Sequence, residues 1–208
     1  MKKKISILAV LGFLILLGLA FYLFQSASVN PQKNLGVEKI VDNKSGQMSI
    51  TIPKSGYYDV TVSTADANLV GTNIPENGHT LVGTYYQKEQ EIQIFTNAQI
   101  KFFPAKFERL EAPISLKTNG NYLVGAQFPA GDYQLTLYGN SGTISTKMGT
   151  VSALSDIYVF TPKSNGGETG VKTYELTNDK REVNISLKTG EMLNVKMPYT
   201  VTIGLKKL

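Results

Sequence analysis

The chain contains no cysteine and no tryptophan, and its one histidine is His79. Without Cys there is no disulfide, no thiolate nucleophile, no cysteine-ligated zinc and no point for lipid attachment at a processed amino-terminal Cys. One His among well-separated carboxylates does not make a metal shell, and no dense run of Asp and Asn makes a calcium loop. No Gly-x-Ser-x-Gly element accompanies His79, which follows Gly78 at the start of an expected strand and reads as a residue facing water. A phosphate-binding loop is also lacking: Gly166-Gly167 and Gly170 neither keep the spacing nor open a helix. No catalytic, cofactor-binding or metal residues are assigned, so the expectation is a protein that is not an enzyme and carries no cofactor.

Basic stripes are missing as well. The formal charge is +5, but Lys2, Lys3 and Lys4 supply three of those charges; the remainder has 18 basic against 16 acidic residues. Beyond those three, only Lys180-Arg181 and Lys206-Lys207 are adjacent, too few to track a row of phosphates, so nucleic acid is not an expected partner.

Long apolar runs are absent after residue 24 and present before it. Ile5 to Phe24 carries no charge over twenty residues, and at about 1.5 Å per residue a helix of that length spans the hydrocarbon core of a bilayer. Lys2, Lys3 and Lys4 precede the run, which by the positive-inside rule leaves residues 1-4 as a cytoplasmic tip and sends the carboxyl-terminal portion across. Phe21, Tyr22 and Phe24 sit at its outer end, where aromatic rings favour the headgroup layer. The expectation is a plasma-membrane protein with a single pass at 5-24 and an extracytoplasmic body. The small residues Ser26-Ala27-Ser28 also offer a cleavage point, which would make the protein secreted if cut near Ser28.

The stretch 25-46 is polar, without sustained period, and reads as an extracytoplasmic linker. From Met48 the pattern is short alternating runs: 49-52, 58-62, 81-85, 91-95 and 99-103, then 114-116, 122-128, 133-138, 157-161, 171-176, 183-187, 192-196 and 200-205. Runs of this kind are half-buried strands, and nothing between them keeps a helical period. With a boundary at Glu111-Ala112-Pro113, the fold class is all-β: two related antiparallel β units, sandwich-like, at 47-111 and 112-208. The glycine-rich stretch Ser164 to Gly170 is expected as a solvated connection, and Glu89 and Glu91, two apart, as one solvated strand face.

An apolar-Pro-x-x-Gly element recurs at Ile52-Pro53-Lys54-Ser55-Gly56 and Ile74-Pro75-Glu76-Asn77-Gly78, and one residue shorter at Phe128-Pro129-Ala130-Gly131. Pro pre-sets the first corner of a turn and Gly accepts the second, so each copy ends one strand and starts another. The strands after the first and third copies correspond, Tyr58, Val60 and Val62 matching Tyr133, Leu135 and Leu137. Glu91, Ile92 and Ile94 match Glu182, Val183 and Ile185, followed by Ile100 and Phe102 against Leu193 and Val195. A second register, Leu69-Val70-Gly71 on Leu123-Val124-Gly125, remains open. The stretch Asn121-Tyr122-Leu123-Val124-Gly125-Ala126-Gln127-Phe128-Pro129-Ala130-Gly131-Asp132-Tyr133, with Val183 to Val195, resembles a repeat of uncharacterised secreted or membrane-anchored Gram-positive bacterial surface proteins. That repeat has an acidic residue where Gln127 stands here. The resemblance implies a cell-surface setting and no particular reaction.

The aromatic pairs Tyr57-Tyr58, Tyr85-Tyr86 and Phe102-Phe103 place neighbours on opposite faces of a strand, one ring in and one out. Tyr58, Tyr86 and Tyr133 are the candidate ligand-facing aromatics. The function expected is a non-catalytic binding module for a cell-wall glycan or envelope protein. The alternatives are a structural or assembly component of the envelope and a carboxylate-dependent extracytoplasmic hydrolase.

Overall fold

The computed structural model describes residues 29–146, 149–152 and 154–208, together with Ile15. Apart from Ile15, the run 5-24 lies outside the described residues, as do Lys2, Lys3, Lys4, Phe21, Tyr22 and Phe24. Among the described residues no helix is long and apolar enough to cross a membrane. From residue 29 onward the described residues are strand, turn or irregular, with one 3-10 turn among them at Pro31–Lys33.

The first six strands are β1 (Lys39–Asn43), β2 (Met48–Thr51), β3 (Gly56–Ala65), β4 (Thr80–Tyr86), β5 (Glu91–Ile94) and β6 (Ala98–Pro104). After the corner at Ala112-Pro113 come β7 (Ile114–Leu116), β8 (Asn119–Leu123), β9 (Gly131–Gly139), β10 (Thr143–Thr146), β11 (Gly149–Ser152), β12 (Ser155–Pro162), β13 (Glu168–Leu176), β14 (Glu182–Leu187), β15 (Met192–Lys196) and β16 (Val201–Lys207). An eight-stranded sheet runs β1-β6-β3-β4-β8-β15-β12-β13, a four-stranded sheet runs β14-β9-β16-β7, and β2-β5 and β10-β11 are pairs. All pairings between these strands are antiparallel except β4 with β8, where Leu81 meets Asn119 and Val82 meets Gly120. That short parallel contact joins the two sets of strands into one sheet across the expected boundary.

Alternation decides what is buried. Tyr58, Val60 and Val62 point from β3 into a core closed by the β2-β5 pair, and meet Ile92, Ile94, Ile100 and Phe102 there. Leu135 and Leu137 of β9 and Ile203 of β16 face Ile157, Val159, Leu193 and Val195 across a second core. A third cluster lies at the junction, where Tyr57, Ala105 and Phe107 meet Leu123, Phe160 and Met192. The rings of His79 and Tyr199, from opposite sides of the junction, stack with centroids 3.4 Å apart.

Two expectations are corrected here. Residues 25-46 are not a linker throughout: 39–43 form β1, whose pairing with β6 sets Val41 opposite Ile100 in the first core, and Pro31 is buried. The strand shows no apolar-polar alternation in sequence, because Ile40 is exposed while the polar Asn43 is buried beside Val41. The loop after β12 also differs from a plain solvated connection, because Gly166 lies against the Tyr85 ring so closely that a Cβ would overlap it. The Tyr58 Oη donates to Lys54 O at 2.6 Å and the Tyr133 Oη to Pro129 O at 2.8 Å, each four residues back. The pairing does not recur in parallel, since β5 pairs with β2 whereas β14 pairs with β9.

Candidate functional site

The three candidate ligand-facing rings are in the core. Tyr58, Tyr86 and Tyr133 are 0, 1 and 1 % exposed, which corrects their assignment. Tyr58, Tyr86 and Phe102 form an edge-to-face trio with centroids 5.7, 5.8 and 6.2 Å apart. That geometry aligns ring edges with ring faces and adds about 0.5–1.5 kcal/mol per pair beyond burial. Their hydroxyls are spent internally, Tyr86 Oη donating to Asn73 O at 2.5 Å. Burial raises the Tyr58, Tyr86 and Tyr133 phenols above their ordinary value, since a phenolate would lose its hydration. Two physical causes displaced the expectation. Both faces of β3 are covered, so Tyr57 and Tyr58 are both buried. In β4, Gly83 adopts φ 57 and the register slips beside it, so alternation cannot be carried through to Tyr85-Tyr86.

The other singled-out groups are likewise engaged. Glu89 lies in a turn at φ 66, paired with Lys88 at 3.5 Å. It therefore does not share a strand face with Glu91, which accepts from Ser49 Oγ and Gln93 Nε2. Asp59 stands in a cleft of about 310 Å³ at the junction, lined also by Lys106, Asn121 and Tyr122. Its carboxylate accepts from Gly83 N–H at 2.8 Å and Lys106 N–H at 3.2 Å. Burial raises its pKa from the ordinary 3.8, opposed by those two bonds. The bonds tie β3 to its neighbours, a structural use of the carboxylate. Among the described residues no group of three or more His, Asp or Glu stands close enough to hold a metal ion.

The outer face of the four-stranded sheet is different. On β9 the apolar set Tyr133, Leu135 and Leu137 points inward, so Gln134, Thr136 and Tyr138 point outward. Register brings Glu182, Thr136, Gly204 and Ser115 into one row across four strands, and Asn184, Gln134 and Lys206 into the next. Gln134 Nε2 donates to Glu182 Oε2 at 3.1 Å. Tyr138, 57 % exposed, leans over Gly204, where a Cβ would stand 2.6 Å from its Cε2. The missing side chain lets the ring lie against the sheet.

This face lines a cavity of about 670 Å³. At Pro113, Ile114 and Leu205 it adjoins a second cavity of about 610 Å³ that reaches Arg109, Glu111 and Lys207. The groove therefore offers one open aromatic ring among amides, hydroxyls and charges of both signs. Such a surface has the groups that can hydrogen-bond a polyol and stack its apolar ring face. Tyr138 was legible in the sequence, because it stands an odd number of residues from Tyr133 on one strand and so must take the opposite face. No family model matches this chain, and a search of curated proteins finds no match.

Proposed function

We propose that this protein is a membrane-anchored, extracytoplasmic β protein that binds a cell-wall glycan, without catalysis, on the outer face of its four-stranded sheet. The observation that carries the reading is the open Tyr138 ring over Gly204, in a groove lined also by Gln134, Thr136, Glu182 and Lys206. Binding sites commonly combine an apolar platform with a few placed polar groups. The charge-free run 5-24 behind three lysines supports the membrane setting, and the resemblance of Asn121 to Tyr133 to bacterial surface proteins supports the envelope. The two units are read as related through their shared Pro-Gly turn and its tyrosine.

A body of residues 29–208 is expected to pellet with purified cell walls, and Tyr138→Ala to lose most of that binding while melting unchanged. Equal pelleting by wild type and Tyr138→Ala would remove this face from the reading. An assembly role has one observation in its favour: β13, nine residues long, pairs only with β12 and is exposed over Glu168 to Thr173. The register slip opposite Gly170, at φ 64, interrupts that edge and blunts strand addition. Capture of an envelope protein by a body that ignores walls would favour this second role.

A further inference from the structure

The stretch from Val29 to Gly36 is a strap, fastened to both sets of strands. Val29 N–H donates to Pro162 O at 3.2 Å, at the end of β12. Asn30 and Pro31 border a cavity of about 440 Å³ shared with the 123–126 turn and with Thr189 and Gly190. Further on, Tyr57 N–H donates to Asn34 O at 2.9 Å and Gly36 N–H to Tyr57 O at 3.0 Å. Lys54 Nζ donates to Leu35 O at 3.0 Å. The strap is closed at its far end by contact, since a Cβ on Gly56 would stand 2.6 Å from Gly36 N.

Phe24, the last residue of the apolar run, is five Cα steps from Val29. Five steps reach at most about 18 Å even fully extended. A body pinned at Val29 therefore has no length of chain with which to stand away from a bilayer holding residues 5-24. Resting on the proposed anchor, we infer that the end of the body carrying Lys163 to Gly167 and Lys188 to Gly190 docks on the lipid headgroup layer of that same membrane in a set orientation. Lys33, Lys163 and Lys188 flank the strap contacts. Of the nearby acids, Glu168 opens β13 and Glu191 is turned onto the Lys188 N–H at 2.7 Å. The opposite end faces away: β3 leaves the strap at Gly56 and travels ten residues, about 30 Å at about 3.3 Å each, to Ala65 beside Asp66 and Asn97.

The absence of native cysteine makes the test direct. Asn165→Cys, Thr189→Cys and Asn68→Cys variants of the full chain are labelled with a fluorophore and reconstituted into phosphatidylcholine vesicles, with and without phosphatidylglycerol. Headgroup-nitroxide lipid then serves as quencher, and each labelled variant is first checked for an unchanged melting point. Quenching at 165 and 189 is expected to exceed that at 68 several-fold in both lipid mixtures, because chain length imposes the contact. A long Gly-Ser insertion between Ser28 and Val29 should erase the contrast. Equal quenching at all three positions, in protein that resists alkaline extraction from the vesicles, overturns the docking and leaves the anchor standing. Protein that fails to stay with the vesicles overturns both.

Discussion

Gly36→Ala and Gly204→Ala are the same chemical change at two places where a new methyl meets a tyrosine ring, and they should have opposite results. At Gly36 the methyl would overlap the Tyr58 ring. That ring is fully buried, wedged against Tyr86 and Phe102 and held through its hydroxyl on Lys54 O, so it has nowhere to go. Overpacking of this kind costs about 1–3 kcal/mol, which in a body of this size lowers Tm by roughly 2–12 °C at about 2–4 °C per kcal/mol. At Gly204 the methyl meets Cε2 of Tyr138, an exposed ring that swings into water. The strand meanwhile gains from losing a glycine, by up to about 1 kcal/mol. Gly204→Ala should therefore melt at or slightly above wild type and still lose wall binding, because the ring has left its platform. Calorimetric melting of both variants, with pelleting of the second, checks the pair. A drop in Tm for Gly204→Ala equal to that for Gly36→Ala would refute the reasoning, since it would mean that Tyr138 is packed rather than presented.

Tyr58→Phe and Tyr133→Phe each remove a hydroxyl bond to the carbonyl of an exposed residue, Lys54 O or Pro129 O, and each should cost about 0.5–1.5 kcal/mol in urea unfolding with no effect on wall binding. Asp59 has its folded pKa raised by burial; its contribution to stability is complete below the unfolded carboxylate value and is lost as pH rises through the folded one. Stability curves against pH should therefore fall in that window for wild type and flatten for Asp59→Asn. Removing residues 29–45 takes away β1 and the strap, with Val41 and Pro31 buried in them. The remaining body should lose at least about 3 kcal/mol at roughly 1.5–3 kcal/mol per buried side chain, measured by urea unfolding.

Much of the local structure could be read from residues in order. The alternation of Leu135 and Leu137, or of Ile92 and Ile94, marks a strand with one wet face, because side chains on an extended chain repeat every two residues. Pro53 with Gly56, and Pro129 with Gly131, announce turns because each residue type restricts or frees φ. β7 and β15 fall where the runs placed them. β1, β10 and β11 escaped, being stretches of four or five residues with little or no apolar repeat.

What residue order could not supply is which face of a strand another layer covers. Period two says that Tyr57 and Tyr58 oppose each other; that both are buried follows from Phe107 on one side and the β2-β5 pair on the other. Likewise Tyr133 and Tyr138 were bound to take opposite faces, but only the arrival of β12 and β15 over the inner face left Tyr138 open. The union of both sets of strands through β4 and β8, and the fastening of Val29 to Pro162, join residues 38 and 133 positions apart. Contacts at such separations are set by the burial they complete across layers, and a periodicity confined to one strand carries no trace of them.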